Sequence, residues 1–275
     1  MRVAILIHGE PRFCVEFDHF LNNLIEYDSI DWYFYLWRSN TPTSFIVGGD
    51  SHQVVAPFWQ NVDCDRALQK FKENLPPNHN VINLELHNQY LVSHDPITDN
   101  YAKETIQPNV WKMWYSQYQC NNLRIAYERE NNFTYDVVIK SRPDVALLNP
   151  LDLNKVNRRL IENEKTIIIP NNKKCGYNVD ISDLIGIGSS ENMTVYADIY
   201  NQAKGHHQKG IKFHPETMLA RHLERNDLNY QSGNFNVEFR WFGQWKHRQT
   251  GEIHPFGKFP KWEDYVYISD FGRWA

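Results

Sequence analysis

Three short stretches of this sequence combine reactive residue types with positions that a ligand can reach. The first is His8-Gly9-Glu10-Pro11-Arg12, directly after the apolar run Val3–Ile7. Gly9 permits close approach of backbone to a ligand, a helix start offers unpaired N–H groups, and Arg12 can pair with a diphosphate. The spacing is not that of a G-x-G-x-x-G dinucleotide fingerprint. An ordinary strand-to-helix turn with a surface arginine uses the same residues. The second stretch is Lys140-Ser141-Arg142-Pro143-Asp144, after a second apolar run. Asp144 can give a divalent cation one carboxylate ligand, and Arg142 can neutralise a leaving diphosphate. The bland alternative is a turn closed by a structural Arg–Asp pair. The third pairs Asp183 with Glu216. Glu216 follows His214-Pro215 at an expected helix N-terminus, where the macrodipole keeps a carboxylate ionised. That suits a general base taking the proton of an attacking hydroxyl, with His214 as an alternative base and Asp183 holding an acceptor through its two oxygens. Trp37 closes a strand, where its ring can meet a base or a sugar. The histidines His206, His207, His214, His247 and His254 are scattered and read as solvated or core-satisfied imidazoles, and no G-x-S-x-G signature points to a serine nucleophile.

These residues need elements to position them. Arg2–Ile7 reads as a strand buried on both faces, because its apolar run is continuous rather than alternating. Phe17, Phe20, Leu21, Leu24 and Ile25 fall at helical spacing and predict a helix over Cys14–Tyr27. Asp31–Trp37 is a second strand, Arg38–Asn61 a long loop, Asp63–Asn74 a helix stopped by Pro76-Pro77, and Val81–Leu86 a third strand. A long helix follows over Asn109–Glu130, then a strand over Tyr135–Lys140. Further strands are expected at Thr166–Ile169 and Leu184–Ile187, and helices at Glu191–Ala203 and from Pro215 to Arg225. Beyond Tyr230 the chain reads as a strand and then irregular, aromatic-rich segments. Strands alternating with helices imply an α/β fold with a mainly parallel central sheet and helices on both faces. In such sheets ligands bind beyond the carboxyl ends of the strands, where the first two stretches lie.

Composition narrows the classes. The chain has 275 residues, 41% hydrophobic and 23% charged, enough for one substantial core and unlike a disordered polypeptide. A formal charge of −4 argues against nucleic acid as a partner. No run approaches the roughly 18 apolar residues of a membrane span, and no signal-peptide pattern opens the sequence, so no integral membrane segment and a cytoplasmic location are expected. Cys14, Cys64, Cys120 and Cys175 lack metal-site spacing and read as free thiols. Aromatic residues reach 14% while mean hydropathy is −0.62, so some rings are available as platforms as well as core.

Arg142-x-Asp144, after the apolar strand within Tyr135–Leu148, resembles the Arg-x-Asp motif of glycosyltransferases related to the WavE lipopolysaccharide-synthesis type. Ile7-His8-Gly9-Glu10-Pro11-Arg12 looks like the first-strand loop of the same group. Asp183-x-x-Gly186-x-Gly188-Ser189-Ser190-Glu191-Asn192-Met193 is similar to a third block, a strand entering a helix. Through short blocks the resemblance touches much of residues 1–225. It implies a GT-A, Rossmann-like domain over residues 1–275, with a nucleotide-sugar-binding half at 1–150 and an acceptor-side half at 151–275. It further implies transfer of a sugar from a nucleotide-diphosphate donor to a glycan or other hydroxyl acceptor. On this reading His8, Gly9, Pro11, Arg12, Trp37, Arg142 and Asp144 hold the donor, and Glu216 and Asp183 are catalytic. A divalent cation, Mn or Mg, would sit on Asp144 with His254 as a late-sequence ligand. The sequence departs from the pattern in carrying Arg142-x-Asp144 where Asp-x-Asp is the fuller metal motif. The alternative is therefore a catalytically degenerate nucleotide- or carbohydrate-binding module of the same fold.

Overall fold

Val3–Ile7 contains no polar residue because the strand it forms is covered on both sides. The computed structural model describes residues 1–9, 18–37, 44–46, 53–55, 68–87, 107–143, 145–170, 181–239, 244–247, 253–254 and 265–268. Its central sheet has seven strands: β1 (Arg2–Gly9), β2 (Ser29–Trp37), β3 (His79–His87), β4 (Val137–Ser141), β5 (Thr166–Ile169), β6 (Gly186–Gly188) and β7 (Asn229–Ser232). Their order across the sheet is β7-β5-β6-β4-β1-β2-β3. β1 pairs in parallel with β2 on one side and β4 on the other, β2 with β3, and β5 with β7. β6 runs antiparallel between β4 and β5.

Side chains alternate along each strand, so β1 feeds two cores. Val3, Ile5 and Ile7 join Phe20 of α1 (Asp18–Asn23), Leu68 and Phe71 of a helix over 68–73, and Leu153, Val156 and Leu160 further along the chain. Ala4 and Leu6 face the other way, onto Val110, Trp111 and Trp114 of α2 (Gln107–Glu130). The first core is closed by α3 (Leu153–Glu162), which carries those three residues. The second is closed by α4 (Ser190–Ala197), α5 (Ile199–Gln208) and α6 (Pro215–Arg225). The mainly parallel sheet with helices on both faces is as expected, and among the described residues no helix is long and apolar enough to cross a membrane.

Several expected elements differ in detail. Helix α1 ends at Asn23, and the chain passes into a strand at Leu24–Ile25 that pairs in parallel with Leu151–Asp152, followed by Glu26 at φ 64°. The single helix expected over Glu191–Ala203 is two, α4 and α5, meeting at Asp198, whose carboxylate binds Asn201 Nδ2 (2.7 Å) and Gln202 Nε2 (3.1 Å). Helix α3 was not expected. It starts where the Asp152 side chain accepts the Lys155 N–H at 2.9 Å, an N-cap set by local chemistry. The expected loop over Arg38–Asn61 contains an antiparallel pair, Ser44–Ile46 with Gln53–Val55. In the tail, Gln244–His247 pairs antiparallel with both Ile253–His254 and Tyr265–Ile268.

Candidate functional site

From β1 the sheet grows outward through β2 and β3, and then the chain returns to place β4 on the other side of β1. This reversal is a topological switch point, and the crevice beyond the carboxyl ends of β1 and β4 is where an open α/β sheet receives ligands. β1 ends in His8-Gly9, with Gly9 at φ +111°, a backbone conformation that side-chain-bearing residues rarely adopt. β4 ends at Ser141, leading into Arg142. Leu6 pairs with Lys140, and Lys140 with Gly186 of β6, so Lys140 shares with His8 the sheet face covered by α2.

Two buried polar networks on this face are satisfied. Arg124 of α2 is fully buried and binds Glu128 (2.5 Å), Asn121 Oδ1 (2.9 Å), Thr194 Oγ1 (2.8 Å) and Ser190 Oγ. His206, His222 and Arg225 form a chain ending on the Val195 carbonyl. Two atoms beside the switch point contrast with these. His8 Nε2 and Tyr196 Oη are buried without a hydrogen-bond partner among the described residues. Such orphans cost about 1–3 kcal/mol each and call for an explanation.

Lys140 lies between them. Its ammonium, almost wholly buried, donates to the Asp183 carbonyl and sits 5.8 Å from the centroid of the Tyr196 ring. Burial, then the charges of Lys140 and Arg142, hold the His8 imidazole well below its ordinary pKa, so it is neutral. Burial, with Asp183 and Glu216 nearby, raises the Tyr196 phenol well above its usual range and keeps it a hydroxyl donor. Tyr196 is seated against Gly186: a Cβ there would lie 3.0 Å from the ring and 3.3 Å from Oη.

Glu216 opens α6 one residue after Pro215, as expected, but the dipole does not keep it ionised. Burial and the charge of Asp183 push its carboxyl up from 4.5 to about 8, outweighing the opposing helix N–H and Arg142. His214 Nδ1 lies 3.1 Å from Glu216 Oε2, and burial lowers the His214 pKa. Near neutrality the two make a neutral pair in which the carboxylic acid donates to the imidazole. Glu216 therefore holds a proton that it can give up near neutrality, and its side chain is still 21% exposed.

Of the residues singled out from the sequence, His8, Gly9, Arg142, Asp183 and Glu216 belong to this region: Arg142 acts on both His8 and Glu216, and Asp183 on Glu216. Trp37 closes β2, 6% exposed, with Lys112 Nζ 4.9 Å from its ring centroid, so that cation already lies against the ring. Pro11, Arg12 and Asp144 lie outside the described residues. His254 pairs through its backbone with Trp245. Among the described residues no group of three or more His, Cys, Asp or Glu gathers as a metal site would. Sequence reasoning named Lys140 at the head of the second stretch without giving it a role, and did not single out Ser116 or Tyr196. A lysine inside an otherwise apolar strand was the available signal for the role of the first. Nothing in the local sequence marks the other two.

Comparison with models of known protein families gives no match, and comparison with curated proteins gives none.

Proposed function

We propose that this chain is a GT-A-type glycosyltransferase that moves a sugar from a nucleotide-diphosphate donor to a hydroxyl of a glycan or related acceptor. The observation that carries the reading is that His8, near the end of β1, and Arg142, following β4, stand at neighbouring carboxyl ends at the switch point, with the charge of Arg142 felt at both His8 and Glu216. Cationic and proton-transferring groups at one sheet edge support the reading, because displacement of a diphosphate by a hydroxyl needs both. Lys140 and Arg142 stabilise the negative charge that grows on the diphosphate as its bond to the anomeric carbon breaks and the electron pair leaves with the phosphate oxygen. Glu216, once ionised, takes the proton of the acceptor hydroxyl as that oxygen bonds to the anomeric carbon, and Asp183 orients the acceptor. On this reading residues 1–150 serve the donor and residues 151–275 the acceptor.

Titration calorimetry with UDP-, GDP- and CMP-sugars, each with and without Mn²⁺, tests the proposal. Binding of at least one donor, weakened by Arg142→Ala, is expected; no heat from any of them under either condition would reject it. Transfer that disappears in Asp144→Ala would separate an enzyme from a non-catalytic binding module.

A further inference from the structure

His8 is the buried residue whose surroundings say most about what it waits for. Its Nδ1 lies 3.1 Å from Ser116 Oγ, and that same oxygen lies 2.9 Å from the Met113 carbonyl. A carbonyl can only accept, so the single hydroxyl hydrogen of Ser116 points at Met113. Were it turned to His8 instead, two acceptor oxygens would face each other at 2.9 Å. Ser116 therefore accepts from His8 Nδ1–H, and the neutral ring carries its bare lone pair on Nε2, the atom without a partner among the described residues. An unprotonated nitrogen can only accept, so it does not suit an anion directly. It suits a hydrogen-bond donor on a molecule whose negative charge Lys140 and Arg142 hold.

We infer that Ser116 fixes the tautomer of His8 so that Nε2 receives a hydrogen bond from a hydroxyl of an anionic, hydroxyl-bearing ligand bound at the β1–β4 switch point. This rests on the proposed function for the ligand's charge, a diphosphate, and adds to it which atom reads the neighbouring hydroxyl, on ribose or on the transferred sugar. Ser116 is a positioning residue, acting through His8.

Long-range proton–nitrogen NMR on protein labelled with ¹⁵N-histidine tests it, with His8 assigned by its absence in His8→Asn. In the ligand-free protein the expected pattern is protonated Nδ1 and bare Nε2. Ser116→Ala should mix the tautomers and weaken ligand binding by about tenfold, the worth of one positioned hydrogen bond, with Ser116→Thr restoring both and thermal melting confirming that each variant folds. Titration with UDP and GDP, their sugar conjugates, and pyrophosphate should move the Nε2 resonance with a nucleotide and leave it unmoved by pyrophosphate. A shift with the bare nucleotide assigns the hydroxyl to ribose, and a shift only with the conjugate assigns it to the sugar. A proton on Nε2 in the free protein overturns the inference whatever binds. A nucleotide that binds by calorimetry yet leaves His8 unmoved overturns it while the proposed function stands, and failure of every probe to bind overturns both.

Discussion

A phenolic hydroxyl buried without a partner destabilises the fold that contains it, so Tyr196 separates stability from ligand binding. Tyr196→Phe keeps the ring that fills the space beside Gly186 and removes only the orphaned oxygen. It should raise unfolding stability by about 1 kcal/mol in urea denaturation while weakening ligand affinity roughly tenfold. Equal losses in both would mean that the hydroxyl serves the fold. Glu216 makes a second residue-scale prediction. With its carboxyl near pH 8, about a tenth is ionised at pH 7, so kcat/KM should climb with pH, pass half its maximum near 8 and level off above it if Glu216 is the base. Glu216→Gln should lower the rate by about 10²–10⁴ and remove that limb of the profile. A rate that falls across the same range would make Glu216 an acid instead. His8, Arg142, Asp183 and Glu216 were legible in the sequence because each sits at or beside the end of an element that the pattern marks. Tyr196 and Ser116 were not, because they lie inside helices and gain their meaning from strands brought beside them by crossovers.

At the scale of elements, α2 is buried along a polar face. Gln117, Asn121, Arg124 and Glu128 are buried and spaced by four, three and four, so they line one face of the helix. That face meets α4: Gln117 Nε2 donates to the Tyr196 carbonyl at 3.3 Å, and Arg124 reaches Ser190 and Thr194. The seam is polar and buried, so apolar periodicity could not reveal it, while its polar atoms hold the helix that carries Tyr196. Glu128 also accepts from the Tyr135 N–H at 2.8 Å and so ties the seam to the approach to β4. Arg124→Met should destabilise by about 3–5 kcal/mol, because it leaves Glu128 buried and uncompensated. Arg124→Met with Glu128→Gln should recover much of that loss by urea denaturation. If the double variant is as unstable as the single one, the ion pair is not what the seam depends on. The strands, in contrast, were plain in the sequence, since Val3–Ile7 and Val137–Ile139 are apolar on both faces and only a central parallel sheet uses such runs. The strand expected at Leu184–Ile187 is β6, but its reversed direction could not be read: it is three residues long and bounded by glycines whose Cβ atoms would meet Tyr196, or Ile167 and Met193.

The whole molecule titrates in a way that follows from where its histidines lie. His79 and His206 are lowered by burial to about 4, and His8, His214 and His222 are lowered as well. Their hydrogen bonds use the neutral ring: His79 Nδ1 accepts from Trp32 Nε1 at 3.2 Å, and His222 passes a chain of donors from Arg225 through His206 to the Val195 carbonyl. A histidine whose folded pKa is depressed takes up its proton first in the unfolded chain. Its contribution is complete above about 6.5 and is lost as pH falls from there towards the folded value, at up to about 1.4 kcal/mol per pH unit for each ring. Glu216 works in the opposite sense. Its raised pKa gives stability that is fully present below 4.5 and is lost as pH rises through about 8. The two slopes cross, so unfolding free energy from urea titrations should peak just above about pH 7, where the rings are neutral even in the unfolded chain and the carboxyl is still mostly protonated in the folded one. Below the peak five histidines act against one carboxyl, so the acid side should be the steeper. Glu216→Gln should flatten the alkaline side and leave the acid side in place. A profile that stays level from pH 7 down to 5 would mean that these imidazoles are not held neutral, and the bare Nε2 of His8 would lose its basis.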